Sequence, residues 1–485
     1  MKNKMAFTHK YIARIVLEAE TGLFVGSGEA SLLKDALVQK DIHGLPMIQG
    51  TSLFGVLRHS FLDNVTFDTF DEHKEFLINL WGYQFFDKEE KKAFESYYKT
   101  KDNKKNAPDG FGSRLKISSA YMLINENEVA EGLTANIPQN ILDKYTNLPS
   151  RQHVRINDRG VAEKNGLFDN EIVYKGTCFI FELELKGNNE DKKHWDAILA
   201  NLSSPLFRIG QGTRNGYGQL NIYSLKQRVY DLNSPSDFEA YLNFDPSFNH
   251  KNEGFTSNKI KSDDSNLTEY KLILKPDDSF FIFSEGFGDN EADNKPVTEE
   301  IAMYKNGTIE FKKQILIPAS SIKGALSHRT AFHYNKIEKQ FIDEGKGTKG
   351  KGNEAVKVLF GYEAEGKEGQ RGKVIINDVY YSDEKVKSDK IFNHVAIDRF
   401  TGGALDGALF SEKVSYFKEK ETSFEFTVYL DYDKEDKIKE AFEETLKDVC
   451  KGLLPLGGMT TKGHGIFTGK VLKDTQTIFD YESNN

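Results

Sequence analysis

Leu45-Pro-Met-Ile-Gln-Gly-Thr-Ser-Leu-Phe-Gly-Val-Leu-Arg-His59 returns later in the chain as Gln314-Ile-Leu-Ile-Pro-Ala-Ser-Ser-Ile-Lys-Gly-Ala-Leu-Ser-His328. Four further matches follow in the same order. Leu80-Trp-Gly-Tyr83 pairs with Leu359-Phe-Gly-Tyr362, and Arg114-Leu-Lys-Ile-Ser-Ser-Ala-Tyr121 with Lys373-Val-Ile-Ile-Asn-Asp-Val-Tyr380. His153-Val-Arg-Ile-Asn157 pairs with His394-Val-Ala-Ile-Asp398, and Gly210-Gln-Gly-Thr-Arg-Asn-Gly-Tyr-Gly218 with Gly457-Gly-Met-Thr-Thr-Lys-Gly-His-Gly465. Ordered self-similarity is the mark of duplication, and a spacing of about 240 to 280 residues is far too long for a solenoid repeat. Each copy must therefore be a domain with its own core.

The expected division is a first domain over 1–228, a connection over 229–267, a second domain over 268–476 and a tail over 477–485. Each half opens on a strand-like run, Tyr11 to Ala19 and Tyr270 to Lys275, and reaches the repeated Ser-x-x-Gly segment at the head of a helix. Thr51-Ser52 and Ser320-Ser321 are the N-cap candidates there. Late in each half an amphipathic helix, about 191–202 and 434–451, precedes the glycine loop and a last strand. This order predicts an α+β chain of two ferredoxin-like β-α-β-β-α-β units with insertions.

The chain of 485 residues carries a net charge of −9 and 38% hydrophobic residues, which fits a globular protein. No apolar run reaches the roughly 18–20 residues a membrane span requires. The start lacks the pattern of a signal peptide, so a cytoplasmic setting is expected. Cys178 and Cys450 lie far apart without metal-ligand spacing. The acidic balance argues against generic nucleic-acid affinity, which comes mostly from Lys and Arg against phosphates. Any polyanion must be held on a local basic track, or on one shared with partners.

The Gly26-Ser-Gly28-Glu29 turn, Asp35-Ala-Leu-Val-Gln-Lys-Asp41, the segment Leu45 to Arg58 and the loop Gly210 to Gly218 together resemble the RAMP superfamily of CRISPR effector complexes. More narrowly the chain resembles the type III backbone subunits that hold guide RNA, here as two fused copies. The resemblance implies guide RNA, complementary target RNA and other RAMP-type subunits as partners, and no membrane. It implies thumb-like hairpins that displace nucleotides, placed at Asn125 to Pro149 with Ile137 and Leu142 or Tyr145 as the wedge. It also implies metal-dependent cleavage of target RNA at an early aspartate, which falls on Asp35. A carboxylate there can recruit Mg²⁺, which keeps most of its waters and needs one or two protein carboxylates. An exposed loop acid is the plain alternative. Glu29 and Asp41 are the lesser candidates, Asp41 as a turn residue before His43-Gly44. In the second copy, counting back three residues from Val297 lands on Asn294, with Asp293 one position off. That count predicts a silent second copy, or one that cuts poorly through Asp293.

Other RNA-binding candidates come from the residues themselves. Gly210, Gly216 and Gly218, with Gly457, Gly463 and Gly465, could let backbone amides approach a phosphate, with Arg214 and Lys462 adding charge. Arg151, His153 and Arg155 would share one face of a strand, with Arg159 beyond them. Ser52, Arg58, Ser321 and Lys323 sit on the Ser-x-x-Gly helices, whose N-termini favour anions. A tight turn, a solvated strand face and plain helix-surface charges are the competing readings of these three sets. A histidine base among His43, His59, His153, His328 and His394 would suit metal-free guide processing. A purely structural backbone role is the remaining alternative.

Overall fold

The computed structural model describes residues 7–30, 34–62, 70–84, 88–102, 110–133, 136–157, 161–257, 260, 267–276, 280–284, 288, 290–340, 352–362, 369–382, 384–419 and 422–483. It is a mixed α+β structure with antiparallel sheets. In the first half, the strand His9–Ala19 lies between Leu220–Asp231 and Cys178–Gly187, and Leu115–Ile117 pairs beyond Cys178–Gly187. In the second, Thr268–Pro276 lies between Phe467–Lys473 and Phe424–Leu430, with Val374–Ile376 beyond. The two halves share one strand order, all antiparallel.

Period-two burial explains the strands: Tyr11, Ala13, Ile15, Leu17 and Ala19 are all buried on one face, as are Tyr270, Leu272 and Leu274. The helices Gly50–Leu62 and Lys192–Asn201 cover the first sheet with Leu53, Leu57, Trp195, Ile198 and Leu199. Ala319–Ile337 and Lys437–Cys450 cover the second with Ile322, Leu326, Phe442, Leu446 and Val449. Smaller features repeat too. Gly82 and Gly361 end equivalent helices at φ of 75° and 80°, each followed by a two-residue strand.

The strand Leu220–Asp231 runs past residue 228, and the connection contributes a helix, Pro235–Leu242, and the edge strand Thr256–Ser257 on the first sheet. The tail adds Gln476–Asp480 to the second sheet. The repeated helices begin at Gly50 and Ala319, so Thr51, Ser52, Ser320 and Ser321 lie inside the first turn and do not cap it. The cap comes from elsewhere: Gly50 N–H donates to Ser119 Oγ at 3.2 Å, and Ala319 N–H to Asp378 Oδ1 at 2.8 Å. Ser119 and Asp378 hold the same place in the repeat.

The halves are joined by an arm that only the second possesses. Where the first half turns tightly between Asp41 and Leu45, the second extends the hairpin Thr298–Lys305 with Thr308–Ile317. Ala302 N–H donates to Lys175 O at 2.7 Å, and the Tyr304 hydroxyl donates to Leu123 O at 2.9 Å while accepting Cys178 N–H at 3.2 Å. Ala302 and Ile309 belong to the first half's core.

Candidate nucleic-acid interface

Beside each sheet stands a long two-stranded hairpin, Ser150–Ile156 with Ala162–Glu171 and Val386–Ile397 with Ala404–Phe417. Toward their tips, apolar residues face outward. Val154, Ile156, Leu167, Ile397 and Leu409 are exposed, and Phe400 at the second tip is 93% exposed. Among the described residues, the segment Asn125 to Pro149 holds no such hairpin: in its helix Gln139–Thr146, Ile141 and Tyr145 are buried, and Ile137 and Leu142 pack against the first core. The wedge expected there is core instead. Outward apolar residues at 154, 156 and 167 were the available signal for a projecting hairpin here.

Each hairpin fixes an acidic loop. Asp35 is exposed; its N–H donates to Asp169 Oδ1 at 2.9 Å, and Asp169 N–H donates to Asp35 Oδ2 at 3.0 Å. Below it the buried Glu171 accepts Val38 N–H at 2.9 Å and pairs with Lys34 at 2.8 Å. In the second half Ser411 N–H donates to Asp293 Oδ2 at 2.7 Å and Ser411 Oγ to the same oxygen at 3.0 Å. These bonds hold the exposed Asp293 carboxyl below its ordinary range.

The sequence count is off by one. Gly26 bridges Val38 as Ser284 bridges Pro296, and Glu171 N–H meets Ala36 O as Lys413 N–H meets Asn294 O. The counterpart of Asp35 is therefore Asp293, and Asn294 matches Ala36. Ser411 occupies the place of Asp169, so among the described residues the first loop joins two carboxylates, Asp35 and Asp169, where the second pairs Asp293 with a serine. Such a donor set suits a mostly hydrated Mg²⁺. Among the described residues, no group of three or more His, Cys, Asp or Glu converges as a cage.

The glycine loops split in their surroundings. Gln211 N–H donates to Phe24 O at 2.9 Å as Gly458 N–H donates to Ile282 O at 2.7 Å. A Cβ on Gly210 or Gly457 would lie 2.1 or 2.5 Å from those same carbonyls, so these glycines make room for the chain's own backbone. Gly218 and Gly465 approach Ile209 O and Leu456 O in the same way. The first loop then docks on the second half. A Cβ on Gly216 would meet Asp378 Oδ1 at 2.3 Å and Ala319 Cβ at 2.7 Å, whereas nothing lies within 4 Å of one on Gly463. Thr461, Lys462 and Gly463 are exposed, with Lys462 Nζ 4.4 Å from the Phe410 ring.

Docking gathers basic groups from both halves in one crease. Arg214 Nε donates to Gly372 O at 2.8 Å, and its buried Nη1 has no hydrogen-bond partner. Lys323 Nζ donates to Asn215 Oδ1 at 3.4 Å. Burial, then Arg214, pushes Lys323 down to about 8. Burial, then Arg371 and Arg208, lowers Arg214. Cations that disfavour one another beside the N-terminus of the helix Ala319–Ile337 form a place suited to an anion. Ser321 is exposed on that first turn. Arg208 and Arg371 were not anticipated; Arg208 stands at the entry to the same loop, and the docking of the halves brings Arg371 to Arg214.

The other expected contacts take different roles. Arg151 is buried, with Nε and Nη2 on Glu299 at 2.6 and 2.7 Å and Nη1 on Asp378 at 2.5 Å, so it clasps the halves and is closed to RNA. His153 Nε2 lies 2.6 Å from the Tyr217 hydroxyl, and burial, then Arg151, lowers it to about 4. Arg155 is exposed farther along the strand, near Glu163. Arg58 Nη2 donates to Gly82 O at 3.4 Å, its Nε without a partner, and Ser52 N–H donates to Gln49 O at 2.9 Å. Arg159 lies outside the described residues.

Two chemically distinct surfaces thus recur or converge: acidic loops at the hairpin bases and a shared basic crease. Residues 16–221 and 309–468 match the RAMP superfamily, about three quarters of the chain. The chain belongs to that superfamily, and carries its unit twice. No curated protein matches the chain. Among solved structures, a chain of a type III-B Cmr-beta complex in the apo state is 16% identical, covering 45% of this chain and 98% of that one, with a TM-score of 0.29. A chain of the type III-B Cmr-beta complex bound to cognate target RNA is 15% identical, with coverages of 45% and 96% and a TM-score of 0.29. No helix among the described residues is long and apolar enough to cross a membrane.

Proposed function

We propose that this chain is a tandem backbone subunit of a type III CRISPR effector complex, built of two ferredoxin-like units that grip guide RNA and cut complementary RNA. The carrying observation is the junction crease, where Arg214 from one half and Lys323 from the other bring positive charge together beside the exposed Ser321. Sharing the cations between halves reconciles polyanion binding with a net charge of −9. The hairpins, with Phe400 outermost, offer apolar tips to stack against displaced bases.

Cleavage is assigned to Asp35 in the first half and to its equivalent Asp293 in the second. Mg²⁺ bound there would stabilise charge on the scissile phosphate. Asp35 aligns the cation together with Asp169, and Asp293 acts with Ser411 holding it ionised, so the first site is the stronger. In the assembled complex with labelled target and Mg²⁺, Asp35→Ala should remove one cleavage position and Asp293→Ala another, with RNA binding nearly unchanged. Full cutting at both positions in the double variant would leave the structural backbone reading. That reading has its own support: Arg151 and Arg208 are spent on the junction.

A further inference from the structure

The face that the first half presents to the second exists again on the second half, with its charges replaced. In the first hairpin Arg151 stands opposite Asn170; in the second, Phe392 stands opposite Glu412 at the same register. Tyr217 of the first glycine loop becomes His464. Arg151 reaches across to Glu299 and Asp378 of the second half, while Phe392 stays within its own half, 5.1 Å from Phe280. The receiving side changes in step. Asp378 corresponds to Ser119, and Glu299 to Asp41, whose Oδ1 is taken by His43 N–H at 2.8 Å and Leu45 N–H at 3.0 Å in its own turn. Both outer ends have thus lost the network that the junction keeps.

We propose that Arg151, Glu299 and Asp378 are the specificity determinants of unit-to-unit docking, and that the second half's outer face accepts only a receiving face that leaves no carboxylate unpaired at their positions. A second copy of this chain offers such a face, with Ser119 meeting Phe392 and the Asp41 carboxylate held within its own turn. The reasoning is the cost of buried, unpaired charge. Phe392 docked on Glu299 and Asp378 would strand two carboxylates, and Arg151 docked on Ser119 would strand a guanidinium. Only the order first half to second half satisfies the network. The contact is heterologous, so each half shows one used and one open side. Gly216 is closed under Asp378, and Gly463 is open. This inference concerns docking alone and does not depend on RNA cleavage.

The test moves the network to the outer ends of the full-length chain. Phe392→Arg combined with Ser119→Asp should associate head to tail at least tenfold more tightly than either single variant, read as concentration-dependent mass by light scattering. The carboxylate that Ser119→Asp introduces keeps a cap for Gly50, as Asp378 caps Ala319. Equal association of the double and single variants overturns the proposal. A second reading uses the native junction: Arg151→Met should lower Tm, and adding Glu299→Gln and Asp378→Asn should restore most of the loss. Additive losses in that series overturn it as well, whether or not the outer-end variant folds.

Discussion

At the scale of the residue, the decisive feature is how burial redirects charge. Arg151 reads as one member of an RNA-facing strand, yet its guanidinium is enclosed with two carboxylates of the other half. Removing one partner of such a network leaves buried charge uncompensated, so Arg151→Ala should cost about 3–5 kcal/mol in urea unfolding. Lys323 carries a second prediction. Its folded value of about 8 lies below the ordinary 10.5, so the unfolded chain binds the proton more tightly, and the RNA-free protein gains stability as pH rises between those values. Phosphate favours the charged form and reverses this bias. RNA affinity, followed by fluorescence anisotropy, should therefore fall as pH rises through 8, and Lys323→Met should flatten the profile.

At the scale of the element, the two glycine loops share a backbone path and differ in what covers them. Gly216 and Gly463 adopt φ of 102° and 91°, where an L side chain is strained. Alanine at either should cost about 1–3 kcal/mol from that strain alone. Only Gly216→Ala also drives a methyl into Asp378 and Ala319, so calorimetry should show the larger loss of Tm there. The hairpins teach a related point. Their exposed apolar residues were visible in the sequence as alternation, but the segment before them was equally apolar, and burial alone assigns Tyr145 to the core and Phe400 to solvent. The acidic loop shows the limit of counting. Asp293 and Asn294 are neighbours, and the backbone bridges to the hairpin, absent from any string of letters, decide which matches Asp35.

At the scale of the whole molecule, the arm Thr298–Ile317 and the Arg151 network make two duplicated units behave as one body. Interfaces between domains ordinarily permit relative motion unless they are large and well packed. Here Ala302 and Ile309 enter the other unit's core, so calorimetry should record one unfolding transition, which Arg151→Ala should split in two. The sequence by itself determined the duplication and the α+β mixture of each unit, because ordered motifs and the periods of burial are local properties of the chain. The tertiary structure alone decided which charges meet. Arg214 and Lys323 lie more than a hundred residues apart, and whether a cation faces RNA, a carboxylate or its own kind depends on how the second unit docks against the first.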